Sequence, residues 1–423
     1  MERTSSKLFH RQSSKKKVKK SKKIIKSRLE PDANDSKDIF KNTIPLKNPM
    51  AKKFTVTPWE VTGAIDYNKL IKDFGTEALT EELIHKIEKA AGKSHHMLRR
   101  KIFFSHRELP ILLKEYEEGK EFALYTGRGP SGNTHIGHII PWIFTKYLQD
   151  AFGAELYFMI TDDEKFLCKP NLTLEETNKL GYENALDLIA LGFDPKKTFI
   201  FVDTDYAKTL YKVALPIAKK VTASNAKAVF GFTNETNIGM YFWPALQAAP
   251  CLLPSYLKKK PIRTLIPAAI DQDPYWRIAR DVAPKLGYPK TAAIHCIFLP
   301  PLTGSEGKMS TSSGEHATIF TTDAPEEVKR KVNKYAFSGG RTTLEEHRKH
   351  GGNPDVDSCY QWLTFLEEDD RRLKGIYDDY KSGKLLSGEL KMMLIEKLNG
   401  FLKEHQRKRE QARSQIDKFI LRD

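Results

Sequence analysis

The chain has 423 residues, 40% of them hydrophobic and 29% charged, with a formal net charge of +16. That length buries at least one large core and suggests two or three domains, with a composition ordinary for a soluble globular protein. No apolar run reaches the ~18 residues of a membrane span, since the best, "AAIHCIFLPPL" from Ala292, is broken by His295 and Pro300-Pro301, and the N-terminus has no apolar stretch of the secretory kind.

Residues 1–30 hold 12 Lys/Arg against Glu2 and Glu30, a net of +10, which leaves +6 for the other 393. The run "SSKKKVKKSKKIIK" is self-repelling and low in complexity, so disorder is expected when it is unbound. It fits a solvated tail, a nuclear-import signal, or an electrostatic arm for nucleic acid that gains affinity by releasing counterions from phosphates. Its excess of lysine over arginine disfavours a mitochondrial presequence. Residues 1–52 are read as this basic tail.

Ordered structure is expected from "KFTVTPWEVTGAIDY". An amphipathic helix follows, with Thr80 as N-cap, Glu81 and Glu82 in the first turn, a stripe of Leu83, Ile84, Ile87, Ala90 and Ala91, and Gly92 as its stop. "EFALYT" to Thr126 reads as a strand. A glycine-rich segment comes next, then a helix through "HIIPWIFTKYLQDAFG" to Gly153. "ELYFMIT" (155–161) is the next buried strand. A helix opens on the capping box Thr173–Glu176 and stops at Gly192. "TFIFVD" (198–203) and "TLIPAAI" (264–270) are two further strands. The second leads to a helix with Asp273 as N-cap and Pro274 at its first position, running to Gly287. "AAIHCIFL" is expected as a fifth strand. Short, nearly continuous apolar strands alternating with helices predict an α/β fold, a doubly wound, Rossmann-type parallel sheet covered on both faces.

From about residue 313 the chain becomes helical and charged. Pro325 starts a helix through Tyr335, "SGGRTT" breaks it, and long helices are expected over about 358–382 and 387–420, with no strand. This reads as a separate all-α domain. Cys168, Cys251, Cys296 and Cys359 lie 83, 45 and 63 positions apart with no C-x-x-C, so neither a disulfide framework nor a cysteine zinc site is expected. His135/His138 and His347/His350 have no apparent third ligand, and no structural metal is expected. A reducing intracellular compartment is the default.

The stretch "GRGPSGNTHIGH" (127–138) fits three phosphate-gripping patterns. As a P-loop it fails, because Asn133 stands where the lysine must be. As a dinucleotide fingerprint it has Gly127, Gly129 and Gly132 between strand and helix. But Asp162 lies 30 residues beyond Gly132 rather than about 20, and Pro130 removes an N–H inside the loop. The third pattern is His135-Ile-Gly-His138 at a helix start, where free N–H groups and the helix dipole favour anions. It gains from "GKMSTSSGEH" (307–316), in which Lys308 and a run of hydroxyls sit between glycines. A mobile loop of that kind can close over a polyphosphate and stabilise a departing pyrophosphate.

Together these two segments resemble the HIGH and KMSKS signatures of class I aminoacyl-tRNA synthetases, with Thr311 where the second pattern has lysine. "LYTGRGPS" (124–131), "TDDEKFL" (161–167), "AIDQDPYWRIARDVAPKLGYPK" (269–290), "NKYAFSGGR" (333–341) and "TPWEVTGAIDYNKLIKDFG" (57–75) resemble the tryptophanyl-tRNA synthetases of eukaryotic and archaeal type, from about residue 54 to the C-terminus. The dinucleotide match is then incidental. The resemblance implies ATP with Mg²⁺, L-tryptophan and tRNA(Trp) as substrates and partners, a homodimer, and a cytoplasmic location. It divides the chain into the tail, a segment 53–100 that packs on the ATP site, a catalytic domain 101–312 with the dimer-interface insertion, and a helical anticodon-binding domain 313–423 whose last helix is implied to pack back on the catalytic domain.

By the same resemblance His135, His138, Lys308, Ser310 and Ser312 act on the phosphates. Gly127, Arg128, Gly129, Gly137, Met309 and, more weakly, Asp271 for the ribose meet the rest of ATP. Tyr125 is implied for the indole N–H, Glu164 for the substrate ammonium, and Gln247 and Gln272 for further contacts. One position departs. The family has a glutamine two residues before "TDDE", helping to bind the indole nitrogen, whereas this chain has Met159, a weak acceptor. A hydride-transferring dehydrogenase leaves the 307–316 loop and the helical domain unexplained. A non-catalytic nucleic-acid-binding relic need not keep both histidines, Lys308 and Glu164.

Overall fold

The computed structural model describes residues 54–423 apart from 57–60, 64, 305 and 310–313; the basic tail and the candidates Ser310 and Ser312 lie outside the described residues. A short antiparallel hairpin, β1 (Thr55–Val56) and β2 (Val61–Thr62), precedes the main sheet. The main sheet has seven strands: β3 (Glu77–Ala78), β4 (Phe103–Arg107), β5 (Phe122–Arg128), β6 (Glu155–Ile160), β7 (Thr198–Val202), β8 (Arg263–Ala269) and β9 (Ala292–Cys296). Their order is β3-β4-β9-β8-β5-β6-β7. Strands β5 to β9 run parallel, with Tyr125 opposite Tyr157 and Leu265 opposite Ala292. From β5 the chain winds outward through β6 and β7, then returns to build β8 and β9 on the other side. The reversal beside β5 leaves a crevice at the strand carboxyl ends, the usual ligand position in such sheets.

The expected strands all form, because Leu156 to Ile160, Ile200 to Val202 and Ala292 to Cys296 are buried on both faces. What the pattern did not foretell is the antiparallel edge of β3 and β4. β3 is two residues long, and β4 carries buried Ser105 and His106, which obscure any apolar alternation. The polar group of Ser105 is satisfied only across the sheet, 3.1 Å from His295 Nδ1.

Local capping sets the helices. Thr80 accepts from Leu83 N at 3.3 Å, Thr173 and Glu176 form the reciprocal box, and Gly153 ends helix Ile136–Phe152 in the left-handed region at φ +61°. Asp273 is a correction: it lies inside helix Asp273–Val282, with Gln272 before it, and caps nothing. Its fully buried carboxylate instead holds Arg107 at 2.7 Å and Arg280 at 3.0 Å, a long-range demand that outweighs a local cap. The helix is also shorter than expected, and a 3₁₀ turn carries the chain on to Gly287.

The C-terminal part has helices Pro325–Tyr335, Leu344–His350, Ser358–Leu366, Asp370–Lys381 and Ser387–Arg413. The helix expected over 358–382 breaks at Glu367–Asp369, because Asp369 caps a new start by accepting from Arg371 N at 2.8 Å. The last helix stops at Arg413, and beyond it Ile420 bridges Ile200, blunting the open edge of β7. Helix Ser387–Arg413 lies along helix Leu174–Ala190, tied by His405 to Asp187 at 2.9 Å and Arg409 to Glu183 at 2.7 Å.

Candidate active site

A cavity of about 350 Å³ opens at the carboxyl ends of β5, β6 and β8. β5 enters it as Tyr125-Thr-Gly-Arg128 and turns into helix Ile136–Phe152 through the glycine segment. Gly127 faces Met159 across β5 and β6, and a Cβ there would stand 2.7 Å from the Met159 carbonyl oxygen. A Cβ on Gly129 would overlap Lys165 Cε and lie 2.9 Å from Glu164 Oε2. These glycines let two strands and the "TDDEK" segment crowd one site.

Arg128 is enclosed. It donates to Gly129 O at 2.6 Å, and its Nε finds no acceptor in the protein. Burial lowers its pKa to about 10, against the pull of Asp187 and Glu164, so it stays charged at neutral pH. His135 occupies the N-cap and His138 the third helical position, with rings stacked 3.5 Å apart. The His135 backbone N–H donates to His138 Nδ1 at 3.2 Å, which places the remaining proton of neutral His138 on Nε2. Burial, then Arg128 and Lys308, lowers His135 to about 3, and burial pushes His138 well below its ordinary value. The pair therefore presents neutral N–H groups, not cations. A Cβ at Gly137 would stand 3.1 Å from the His135 ring, so that glycine makes room for the imidazole.

The chain just beyond the 307–316 segment pairs with the histidine segment. Phe320 bridges His135, Ile136 N donates to Ile319 O at 3.1 Å, and Thr321 N donates to Thr134 O at 2.9 Å. Ahead of this, Gly307 N reaches Gly63 O at 3.1 Å and Met309 N reaches Leu299 O at 2.9 Å. That clamp aims Lys308 at the cavity, where its ammonium lies 2.5 Å from Asp271 Oδ2.

The other half of the cavity is aromatic. The Tyr125 hydroxyl, on a side chain 1% exposed, donates to Met159 Sδ at 3.2 Å, with Gln247 O at 3.5 Å. β5 continues three residues past Tyr125, beyond the end expected at Thr126, so the tyrosine lies below the rim. Glu164 is 4% exposed and accepts from Thr161 Oγ1 at 2.9 Å and Lys165 Nζ at 2.8 Å. Gln247 comes from helix Ile238–Ala248, and its buried Oε1 has no partner. Gln272 precedes helix Asp273–Val282 and lines the same space.

Every described candidate residue thus borders one cavity. Sequence reasoning missed Lys165, Trp243, Tyr275 and Trp276 on its wall. Trp243 and Trp276 each lie four residues from Gln247 or Gln272, a helical-face spacing that was available but looks identical in a plain core. Among the described residues no group of three or more His, Cys, Asp or Glu could hold a metal ion, and no helix is long and apolar enough to cross a membrane.

Several orphaned polar atoms border this cavity: Arg128 Nε, His135 Nδ1, Asp271 Oδ1 and Gln247 Oε1. Buried groups of this kind are normally paired, so their clustering fits a ligand with a polyanionic end, among Arg128, Lys308 and the histidines, and a flat apolar end beside Tyr125.

Comparison with known proteins agrees. Residues 117–403 match the family model for class I tRNA synthetases (W and Y). The chain is 56% identical over 371 residues to the tryptophan--tRNA ligase of Saccharolobus solfataricus, covering 88% of this chain and 96% of that protein. A solved tryptophanyl-tRNA synthetase from Plasmodium falciparum superposes with TM-score 0.77 at 46% identity, covering 82% of this chain and 94% of the other. Another from Encephalitozoon cuniculi, bound to tryptophan, gives TM-score 0.78 at 39% identity, covering 85% and 98%.

Proposed function

Because the chain belongs to the class I tRNA synthetases of the tryptophan and tyrosine group, we propose that it is a tryptophan--tRNA ligase working through the cavity at β5. It joins L-tryptophan to ATP, releasing pyrophosphate, and passes the aminoacyl group to tRNA(Trp). The observation that carries the substrate assignment is the 56% identity to a tryptophan--tRNA ligase over 88% of the chain.

In this reading the tryptophan carboxylate attacks the α-phosphate and pyrophosphate leaves. Positioning and charge stabilisation are the protein's task in such transfers. His138 Nε2–H and the His135 ring hydrogen-bond phosphate oxygens as neutral donors, and Arg128 adds a fixed positive charge. Lys308 stabilises charge developing on the pyrophosphate, with Ser310 and Ser312 following it in the same segment. Gly127 and Gly129 admit the nucleotide, Gly137 and Met309 border its far side, and Asp271 takes the ribose hydroxyls. Tyr125 meets the indole N–H, Met159 stands beside it, Glu164 receives the ammonium, and Gln247 and Gln272 complete the amino-acid contacts. Mg²⁺ arrives with ATP and supplies further charge neutralisation at the phosphates.

The family resemblance extends the proposal to a cytoplasmic homodimer that reads the anticodon with its C-terminal helices, and to residues 53–100 as a cover for the ATP site. The lysine tail is proposed as an auxiliary tRNA arm. The direct test is charging: labelled tryptophan should become acid-precipitable with tRNA(Trp) and ATP, and no labelled product in that assay would reject the assignment.

A further inference from the structure

Tyr125 is completely enclosed, so the direction of its one hydroxyl proton is decided by the acceptors around it. Two lie in reach: Met159 Sδ at 3.2 Å and the Gln247 carbonyl oxygen at 3.5 Å. The first is a sound distance for sulfur, and the second is at the limit of a hydrogen bond. Burial raises the Tyr125 pKa well above its ordinary value, so the proton stays on and must be placed somewhere. The cross-strand register explains how Met159 comes to be there. Met159 is paired with Gly127, which contributes no side chain, and the vacated space on that face lets the thioether lean along the sheet towards Tyr125 two residues back. Met159 is 0% exposed, held between β5 and β7, where it pairs with Phe201.

We propose that Met159 is a positioning residue for amino-acid selection: its sulfur takes the Tyr125 hydroxyl proton and thereby presents the tyrosine's lone pair to the N–H of the substrate indole. The inference rests on the reading that Tyr125 meets that N–H. A hydroxyl whose proton had no acceptor would turn it into the cavity, where it would oppose an incoming N–H donor and welcome a substrate lacking one. Met159 need not touch the substrate nitrogen to discriminate. It fixes which end of another residue's hydroxyl does so. The thioether's weakness as an acceptor is no obstacle, since its competitor is a carbonyl at the edge of range.

The experiment compares L-tryptophan with its benzothiophene analogue, in which sulfur replaces the ring N–H, by amino-acid-dependent pyrophosphate exchange on the full chain. The readout is the ratio of kcat/KM values, tryptophan over analogue. Met159→Leu keeps volume and removes the acceptor; it is expected to lower the ratio about 3- to 10-fold, the worth of one neutral hydrogen bond. Tyr125→Phe should collapse the ratio, and adding Met159→Leu to it should change the ratio no further. A Met159→Leu ratio equal to the parent's, or a loss shared equally by both substrates, overturns the inference while leaving Tyr125 in place. A Tyr125→Phe ratio equal to the parent's overturns the underlying reading. Should Met159→Leu fail to fold, Met159→Ile likewise removes the sulfur acceptor and must lower the ratio; a ratio equal to the parent's overturns the proposal.

Discussion

The Lys308 ammonium lies 2.5 Å from the Asp271 carboxylate, which is 1% exposed and has its second oxygen unpaired. A buried carboxylate requires a counter-charge, so the lysine of the loop and the acid at the end of β8 form one unit, although 37 residues separate them. The cation proposed for pyrophosphate is therefore held at the cavity wall by the group proposed for the ribose.

Replacing Lys308 tests that unit. Lys308→Ala removes a preorganised donor, and such losses cost about 10²–10³ in rate. Single-turnover adenylate formation should slow by that factor, while tryptophan binding measured by intrinsic fluorescence changes little. Near-normal adenylate formation would sink the role.

The glycine at the floor of the site is a packing requirement. Gly127→Ala puts a methyl 2.7 Å from the backbone oxygen of Met159, which a side-chain rotation cannot relieve. Overpacking of this type costs about 1–3 kcal/mol, so urea unfolding should show a lowered midpoint at unchanged m-value. An unaltered midpoint would mean that β5 and β6 part more readily than their register suggests.

Buried histidines set the acid response. Burial, then His96 and nearby cations, lowers His95 to about 3, and burial lowers His96 to about 4. From pH 6.5 down towards those values the unfolded chain binds protons that the folded chain refuses, so stability falls as pH falls through this window. His95 Nδ1 caps its short helix by accepting from Met97 N at 3.2 Å, a task asparagine performs well. His95→Asn should keep the unfolding free energy at pH 7.5, read by urea titration, and flatten its decline between pH 6.5 and 5 by about 1–2 kcal/mol. An identical decline in parent and variant would show that His95 is not among the groups responsible.

The basic tail makes a separable prediction. Deleting residues 1–30 removes a net charge of +10, so tRNA affinity should fall and the slope of log K against log salt should flatten. Tryptophan-dependent pyrophosphate exchange should be spared. A full salt slope in the truncated protein would rule the arm out.

Sheet and site were legible to different depths. The parallel strands declared themselves because burial on both faces leaves continuous apolar runs, and the caps at Thr80 and Thr173 follow from local grammar. β4 was illegible because its polar Ser105 is paid for by His295, 190 residues away, and Asp273 was misread because Arg107 claims the carboxylate that local rules assign to a cap. In the site, the histidine and lysine motifs pointed to one cavity, which His135, His138 and Lys308 all line, since few patterns combine them. The wall did not show, because Trp243 and Trp276 at helical spacing look the same in a core as in a cavity. Nor did the sequence tell that the two histidines are neutral, because burial is a property of the folded assembly.

The most direct test of the account is exchange of labelled pyrophosphate into ATP with Mg²⁺, run separately with tryptophan, tyrosine and phenylalanine. Exchange with tryptophan alone is the predicted result, and would show that a cavity with Met159 beside Tyr125 selects the indole. Exchange driven by tyrosine would contradict the substrate assignment, and no exchange with any of the three would contradict the catalytic reading itself.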